Sequence, residues 1–345
     1  MRYIGETSTG KDVRIGKSSP NRHMIITGIS GSGKSVRIAD IERHILEEKT
    51  TIIALDMNGT HEDVIGECNI ISVQKDGLNI SFLDTSLVES GEETMANLVQ
   101  YVVETLCPRQ MRGACQIAAV RKAIQFAIEN HKRFSNEMDA ILKGLEIQDE
   151  LAALGAYNHL CSILEGNIFR ASEKRIIPGR LNVISLQGLN SKTQKRAVEI
   201  LLSVIWREIR IKGKNKGAEL IIELDEFQNL DFQSGTVLAE MLTEGRKYGL
   251  NLILSTQTLS VFQKKDLALL HQAAVKLFFQ PAVTDIDKVA TMIESCNKNR
   301  WMQVLSHLKV GQAIAVGSLE IMGREIPQPI VTYSDYAEIM KIQTR

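Results

Sequence analysis

The chain has 345 residues, 44% of them hydrophobic and 24% charged, with 41 Lys and Arg against 41 Asp and Glu. This balance excludes an intrinsically disordered chain, and the length allows one large domain or two modest ones with a core that needs no covalent staples. A formal net charge of zero gives no global sign of nucleic acid, so a DNA-binding role needs a locally basic surface such as a channel lining.

The five cysteines, Cys68, Cys107, Cys115, Cys161 and Cys296, form no C-x-x-C pair, which argues for reduced thiols rather than a disulfide framework or a zinc site. The N-terminus lacks the apolar stretch of a signal peptide, and no apolar run approaches the roughly 18 residues that span a membrane. The expectation is a cytoplasmic protein, with any membrane attachment supplied by a partner.

Taken in chain order, residues 23–27 form an apolar strand that runs into a Gly-rich turn, and residues 36–46 an amphipathic helix. Residues 51–56 (TIIALD) are a second strand. Between residues 87 and 170 the strand signal gives way to helical periodicity. Met95, Leu98, Val99, Val102, Val103 and Leu106 share one helical face. Ile117, Val120, Ile124, Ala127 and Ile128 form a second stripe, Met138, Ile141, Leu142 and Leu145 a third, and Leu151, Leu154, Tyr157, Leu160 and Leu164 a fourth. All four are expected to be core faces of an inserted helical subdomain. Strands return at residues 181–186, 219–224, 251–255, 275–279 and 313–316. Such continuous apolar runs alternating with helices predict an α/β fold whose mainly parallel sheet is covered on both faces. After the strand at 181–186 comes a long amphipathic helix. Its basic tail, Arg207, Arg210, Lys212, Lys214 and Lys216, reads either as a solvated helix end or as a surface that touches a phosphate backbone.

Residues 28–35 read GISGSGKS, and Gly28, Gly33, Lys34 and Ser35 match the phosphate-loop pattern G-x-x-x-x-G-K-[ST] in full. Gly28, Ser30, Gly31, Ser32, Gly33, Lys34, Ser35 and Val36 are the expected nucleotide-binding residues. The glycines let backbone N–H groups turn toward phosphates, and the following helix N-terminus adds partial positive charge. Lys34 would reach the β- and γ-phosphates, and Ser35 would offer a hydroxyl to Mg²⁺. Residues 219–226 (ELIIELDE) are an apolar strand that ends in two carboxylates. Asp225 is the expected second contact to Mg²⁺, through water, and Glu226 the group that orients or deprotonates the attacking water. Gln257 follows the strand at 251–255 at its ligand-facing end and is a candidate sensor of the γ-phosphate. Arg246 and Lys247 precede the same strand at its opposite end. Arg246 reads either as an exposed cation at a helix end or as an arginine finger offered to a neighbouring subunit.

The loop GISGSGKS, the acidic strand LIIELDEFQNL and the block EGRKYGLNLILSTQ together resemble the HerA/FtsK superfamily of DNA-pumping ATPases, above all HerA and the ATPases of conjugation and type IV secretion. The likeness covers roughly residues 10–330 and is weakest across the helical insert. It implies a RecA-like core in two parts, residues 1–86 and 171–345, interrupted by the helical insert 87–170. It implies a hexameric ring that uses ATP and Mg²⁺ to move double-stranded DNA, with Lys34, Glu226, Gln257 and a trans-acting Arg246 in catalysis. Alternative readings are an energy-supplying subunit of a conjugation or secretion machine, or an ATP-dependent regulator of a nuclease or defence partner. Where the family carries an Asp-Pro-Lys/Arg-Gly-Glu-like turn after its second strand, residues 56–61 read Asp56-Met57-Asn58-Gly59-Thr60-His61. About 20 residues precede the first core strand, so the N-terminal barrel of HerA is expected to be missing. Arg300 reads either as a second arginine sensor or as a surface residue, and Trp301 as a core or interface anchor.

Overall fold

The computed structural model describes residues 2–59, 61, 68–107, 111, 113–164, 166–214 and 219–334. In chain order the first strands are β1 (Tyr3–Glu6), β2 (Asp12–Ile15) and β3 (Met24–Thr27), followed by helix α1 (Lys34–Glu47), β4 (Thr51–Asp56) and β5 (Asn69–Ser72). Five helices come next: α2 (Ser86–Glu89), α3 (Met95–Leu106), α4 (Ala114–Asn130), α5 (Glu137–Glu146) and α6 (Leu151–Leu164). Then come β6 (Leu181–Ser185), α7 (Ser191–Lys212), β7 (Leu220–Leu224), α8 (Val237–Glu244) and β8 (Leu250–Thr256). The chain continues through α9 (Lys264–Leu270), β9 (Val275–Phe278), α10 (Ile286–Ile293) and α11 (Lys298–Ser306). It closes with β10 (Ala313–Gly317), β11 (Leu319–Ile321), β12 (Arg324–Ile326) and β13 (Ile330–Thr332).

The chain divides into two compact units, one of Met1–Ile70, Ile176–Ser185 and Ile209–Arg345, the other of Ile71–Arg175 and Leu186–Glu208. Among the described residues the main sheet has the order β13-β10-β9-β3-β8-β7-β4-β6-β5. Strands β9, β3, β8, β7, β4 and β6 are parallel neighbours, and β10 and β13 close the edge antiparallel. The apolar runs expected to be strands are strands, and each is buried along most of its length: all four residues of β3 and all seven of β8 are buried. Burying each Ile or Leu contributes roughly 1.5–3 kcal/mol.

A second, four-stranded sheet has the order β1-β2-β11-β12. It pairs the beginning of the chain with its end, since Leu319 faces Ile15 and Ile321 faces Val13. Its inward residues, among them Tyr3, Ile4, Val13, Ile15 and Leu319, join the core beneath α1.

In the helical unit the stripes of α3, α4 and α5 are largely buried, as their periodicity predicts. The stripe on α6 is corrected. Leu151 is 89% exposed and Leu154 57% exposed, and the buried face is Ala153, Ala156, Leu160, Ile163 and Leu164. The helix is apolar nearly all round, so its pattern does not select a face, and its small alanines are what pack closely. Met95 is also exposed at the start of α3. Arg207 is no loose basic tail: it forms a two-pronged ion pair with Glu93 and lies 4.2 Å from the ring centre of Tyr101. Lys212 and Lys214 are exposed, and Lys216 lies outside the described residues. All five cysteines are thiols. Among the described residues no helix is long and apolar enough to cross a membrane.

Candidate nucleotide site

The loop between β3 and α1 is braced from three sides. Ser32 Oγ donates to Ile29 O at 2.7 Å, Ile29 N to Gln280 O at 2.9 Å, and Gly311 N to Ser32 O at 2.9 Å. Gly33 caps α1 at φ 101°, and a Cβ there would sit 2.8 Å from Gly311 N, so only glycine fits. The first turn of α1 has no side-chain cap and no acidic residue. Its N–H groups and partial positive charge are therefore open to an anion. Ser30, Gly31 and Ser35 are exposed around this opening, and Val36 is half-buried. Lys34 Nζ donates to Gly28 O at 2.6 Å and Ile29 O at 3.0 Å. Burial lowers the pKa of its ammonium, partly offset by the carboxylates of Asp225 and Glu226. An uncapped helix start, a lysine on the loop carbonyls and a nearby acidic pair form a donor set that fits a polyphosphate with a divalent cation.

The acidic pair stands at the end of β7. Asp225 is half-buried, and its Oδ1 accepts from Ser255 Oγ at 2.8 Å and from Glu226 N at 3.0 Å. Glu226 is buried in the left-handed region, at φ 53° and ψ 40°, which costs a non-glycine residue about 1 kcal/mol or more. That conformation turns its carboxylate toward the amides of Gln257 and Gln228, which both donate to it. Strand β8 runs between β3 and β7. Gln257, the residue after β8, therefore comes between the phosphate loop and the acidic pair. The structure thus brings together Gly28, Ser30, Gly31, Ser32, Gly33, Lys34, Ser35, Val36, Asp225, Glu226 and Gln257.

Arg246 is elsewhere. It is exposed in the turn Gly245–Tyr248 at the amino end of β8, where its guanidinium donates to Pro20 O. A shallow hollow there is lined by Arg22, Glu219, Arg246 and Asn251. Arg300 is exposed and lies 5.3 Å from the ring centre of Trp301. Trp301 is buried, and its Nε1 donates to Glu294 Oε2 at 2.8 Å.

Four supporting features were not anticipated. Ser255 orients Asp225, and Gln228 shares Glu226 with Gln257. Asp285, buried at the start of α10, accepts from Thr258 Oγ1 at 2.6 Å, from Leu259 N at 2.7 Å and from Ser260 Oγ, which pins the segment that follows Gln257. Burial alone would raise the Asp285 pKa, but the bonds from Ser260, Thr258 and the Leu259 N–H together hold it below its ordinary value. The fourth is Arg37, a fully buried guanidinium on α1. It donates to Ile4 O at 2.8 Å, Thr332 Oγ1 at 3.0 Å, Gly311 O at 3.1 Å and Ser334 Oγ at 2.5 Å. Gly5 makes room for it: at φ 144°, a Cβ there would lie 2.4 Å from Arg37 Nη1. Polar residues that end a buried strand, such as Ser255, carry a readable signal, whereas an arginine inside an amphipathic helix does not.

A family model described as Helicase HerA, central domain, matches residues 3–205. The chain is 23% identical over 350 residues to "Probable helicase MJ1565" of Methanocaldococcus jannaschii, covering 91% of this chain and 64% of the relative. It is 23% identical over 334 residues to the DNA double-strand break repair helicase HerA of Sulfolobus acidocaldarius, covering 89% of this chain and 65% of the relative. It therefore spans slightly under two thirds of the length of these relatives. Among solved structures, VirB4 of Thermoanaerobacter pseudethanolicus shares the fold at a TM-score of 0.70 and 15% identity, over 98% of this chain and 97% of that one. The bacterial conjugative coupling protein TrwB shares it at a TM-score of 0.72 and 14% identity, over 97% of this chain and 89% of that one. TrwB has also been solved with ADP and Mg²⁺. With a family model spanning more than half of its length and a RecA-like sheet that presents the phosphate loop beside the acidic pair, the chain belongs to the HerA helicase central-domain family.

Proposed function

We propose that this chain is an ATP-hydrolysing motor that acts on double-stranded DNA as a ring of identical subunits, hexameric by resemblance to its superfamily. The observation that carries the reading is the convergence of Lys34, Asp225, Glu226 and Gln257 at the carboxyl ends of adjacent parallel strands. The HerA relatives named as DNA repair helicases supply the DNA half of the proposal.

Lys34 and the N–H groups of residues 30–35 would bind the β- and γ-phosphates of ATP. Ser35 and Asp225 would hold Mg²⁺, which when bound neutralises charge on the phosphate oxygens. Ser255 keeps the Asp225 carboxylate facing that position. Glu226 would orient the attacking water and accept its proton, and the bond from Gln257 couples the Glu226 carboxylate to the γ-phosphate side of the pocket. Arg246 stands at the opposite ends of the strands, so it would complete the site of a neighbouring subunit, stabilising charge on the γ-phosphate there.

ATP turnover measured with and without duplex DNA tests this reading. Duplex DNA should stimulate the wild type, and Glu226→Gln should lower turnover by about 100- to 10,000-fold while ATP still binds. Mixing Arg246→Ala subunits with Glu226→Gln subunits should restore partial turnover, because wild-type arginine and wild-type glutamate then meet at shared interfaces. Turnover that ignores DNA and survives Glu226→Gln would refute the motor.

A further inference from the structure

Two turns beyond Ser35 on α1, roughly 10 Å along the axis at ~1.5 Å per residue, lies a second polar cluster that the nucleotide chemistry does not use. Glu42 on α1 and Glu223 on β7 are 0% and 2% exposed. His61 reaches them from the turn after β4, with Nε2 at 3.0 Å from Glu42 Oε1 and 3.7 Å from Glu223 Oε1. One ligand atom from each of the three can be chosen so that all lie within 4.8 Å of one another. Asp56 builds the turn that delivers His61: its carboxylate accepts from Asn58 N at 3.0 Å, Gly59 N at 2.8 Å and His61 N at 3.2 Å.

The cluster is short of positive charge. Among the described residues no lysine or arginine is paired with either carboxyl, and His61 is the sole basic group facing them. Glu42 Oε2 and Glu223 Oε2 are buried with no donor group among the described residues, and burial pushes both carboxyls up, Glu42 to about 8, so that without a cation a proton shared between the two would have to serve. Two buried carboxylates side by side, each with an oxygen lacking a donor, are costly unless a cation or a proton neutralises them.

We propose that Glu42, His61 and Glu223 bind one divalent first-row transition-metal ion of the Zn²⁺ or Mn²⁺ type. Two carboxylates and a neutral imidazole cancel the charge of a dication. The nitrogen donor favours such ions over Mg²⁺ or Ca²⁺, which prefer oxygen alone. The ion ties α1, β7 and the turn after β4 together behind the nucleotide pocket, and its role is structural. It is distinct from the Mg²⁺ that Ser35 and Asp225 would hold.

The test uses the full chain, stripped with chelator and dialysed, in wild-type, Asp225→Asn, His61→Ala and Glu42→Gln forms, without nucleotide. Each is titrated with ZnCl2 and, separately, MnCl2. Metal retained after a second dialysis is counted by mass spectrometry, and thermal unfolding is followed in parallel. The wild type and Asp225→Asn should retain about one equivalent and unfold several degrees higher with metal. His61→Ala, which removes a side chain that is 14% exposed at the rim of the cluster, should lose both effects, as should Glu42→Gln. Absence of retained metal in the wild type, or equal retention in His61→Ala, overturns the proposal. The first outcome indicates a proton shared by the carboxyls, the second a different site.

Discussion

Replacing Arg37 with methionine keeps the apolar stem of the side chain and removes its guanidinium. That group is fully buried and donates to Ile4 O, Thr332 Oγ1, Gly311 O and Ser334 Oγ. Each buried acceptor left without a donor costs ~1–3 kcal/mol. Relief from burying a charge, which lowers the Arg37 pKa to about 10, returns part of this. The net expectation is destabilisation by roughly 2–4 kcal/mol, read from the urea midpoint by the fluorescence of the buried Trp206 and Trp301. Gly311 also donates to Ser32 of the phosphate loop. Affinity for a fluorescent ATP analogue should therefore fall by about fivefold, the equivalent of one loosened hydrogen bond. A methionine variant that unfolds within about 0.5 kcal/mol of wild type and binds nucleotide equally would show that Arg37 fastens nothing.

Two further outcomes follow from buried ionisable groups. His23 accepts from Leu252 N at 3.0 Å, and burial lowers its pKa to about 4, so the folded chain keeps it neutral while the unfolded chain protonates near pH 6.5. The stability this brings is present above about pH 6.5 and is lost as pH falls toward about 4, by up to about 3 kcal/mol. His23→Asn, which preserves an acceptor, should flatten the change in urea midpoint between pH 7 and pH 5, and an unaltered slope would count against this account. Asp285→Ala frees the segment after Gln257 and should lower ATP turnover by about 10- to 100-fold through misplacement of that side chain. Nucleotide binding should hold to within about twofold, so a matching loss of affinity would contradict a positioning role.

The strands and the phosphate loop were legible because burial on both faces leaves an uninterrupted apolar run, as in TIIALD and LNLILST. The positions of Asp225 and Gln257 were legible because a polar side chain that follows such a run lies at the carboxyl edge of a parallel sheet, the edge at which α/β folds bind ligands. The four-stranded sheet was not, because its strands are three or four residues long and its two hairpins are joined only by the β2–β11 pairing across most of the chain. Leu151 and Leu154 misled because α6 is apolar all round. Arg37 and Glu42 sit on a helix whose charged positions would ordinarily face water, and Glu223 interrupts an apolar strand without altering its pattern. Only the tertiary arrangement shows that the first is paired with carbonyls and that the other two face one another.

The four-stranded sheet also sets an order of events at the ribosome. β2 pairs with β11, Gly33 packs against Gly311, and Arg37 donates to Thr332, so the cradle formed by residues 28–37 gains its far wall only when residue 332 has been made. A nascent chain that carries GISGSGKS therefore lacks the far wall of this cradle until that point. Pairing between segments this distant in sequence is of the kind that slows folding.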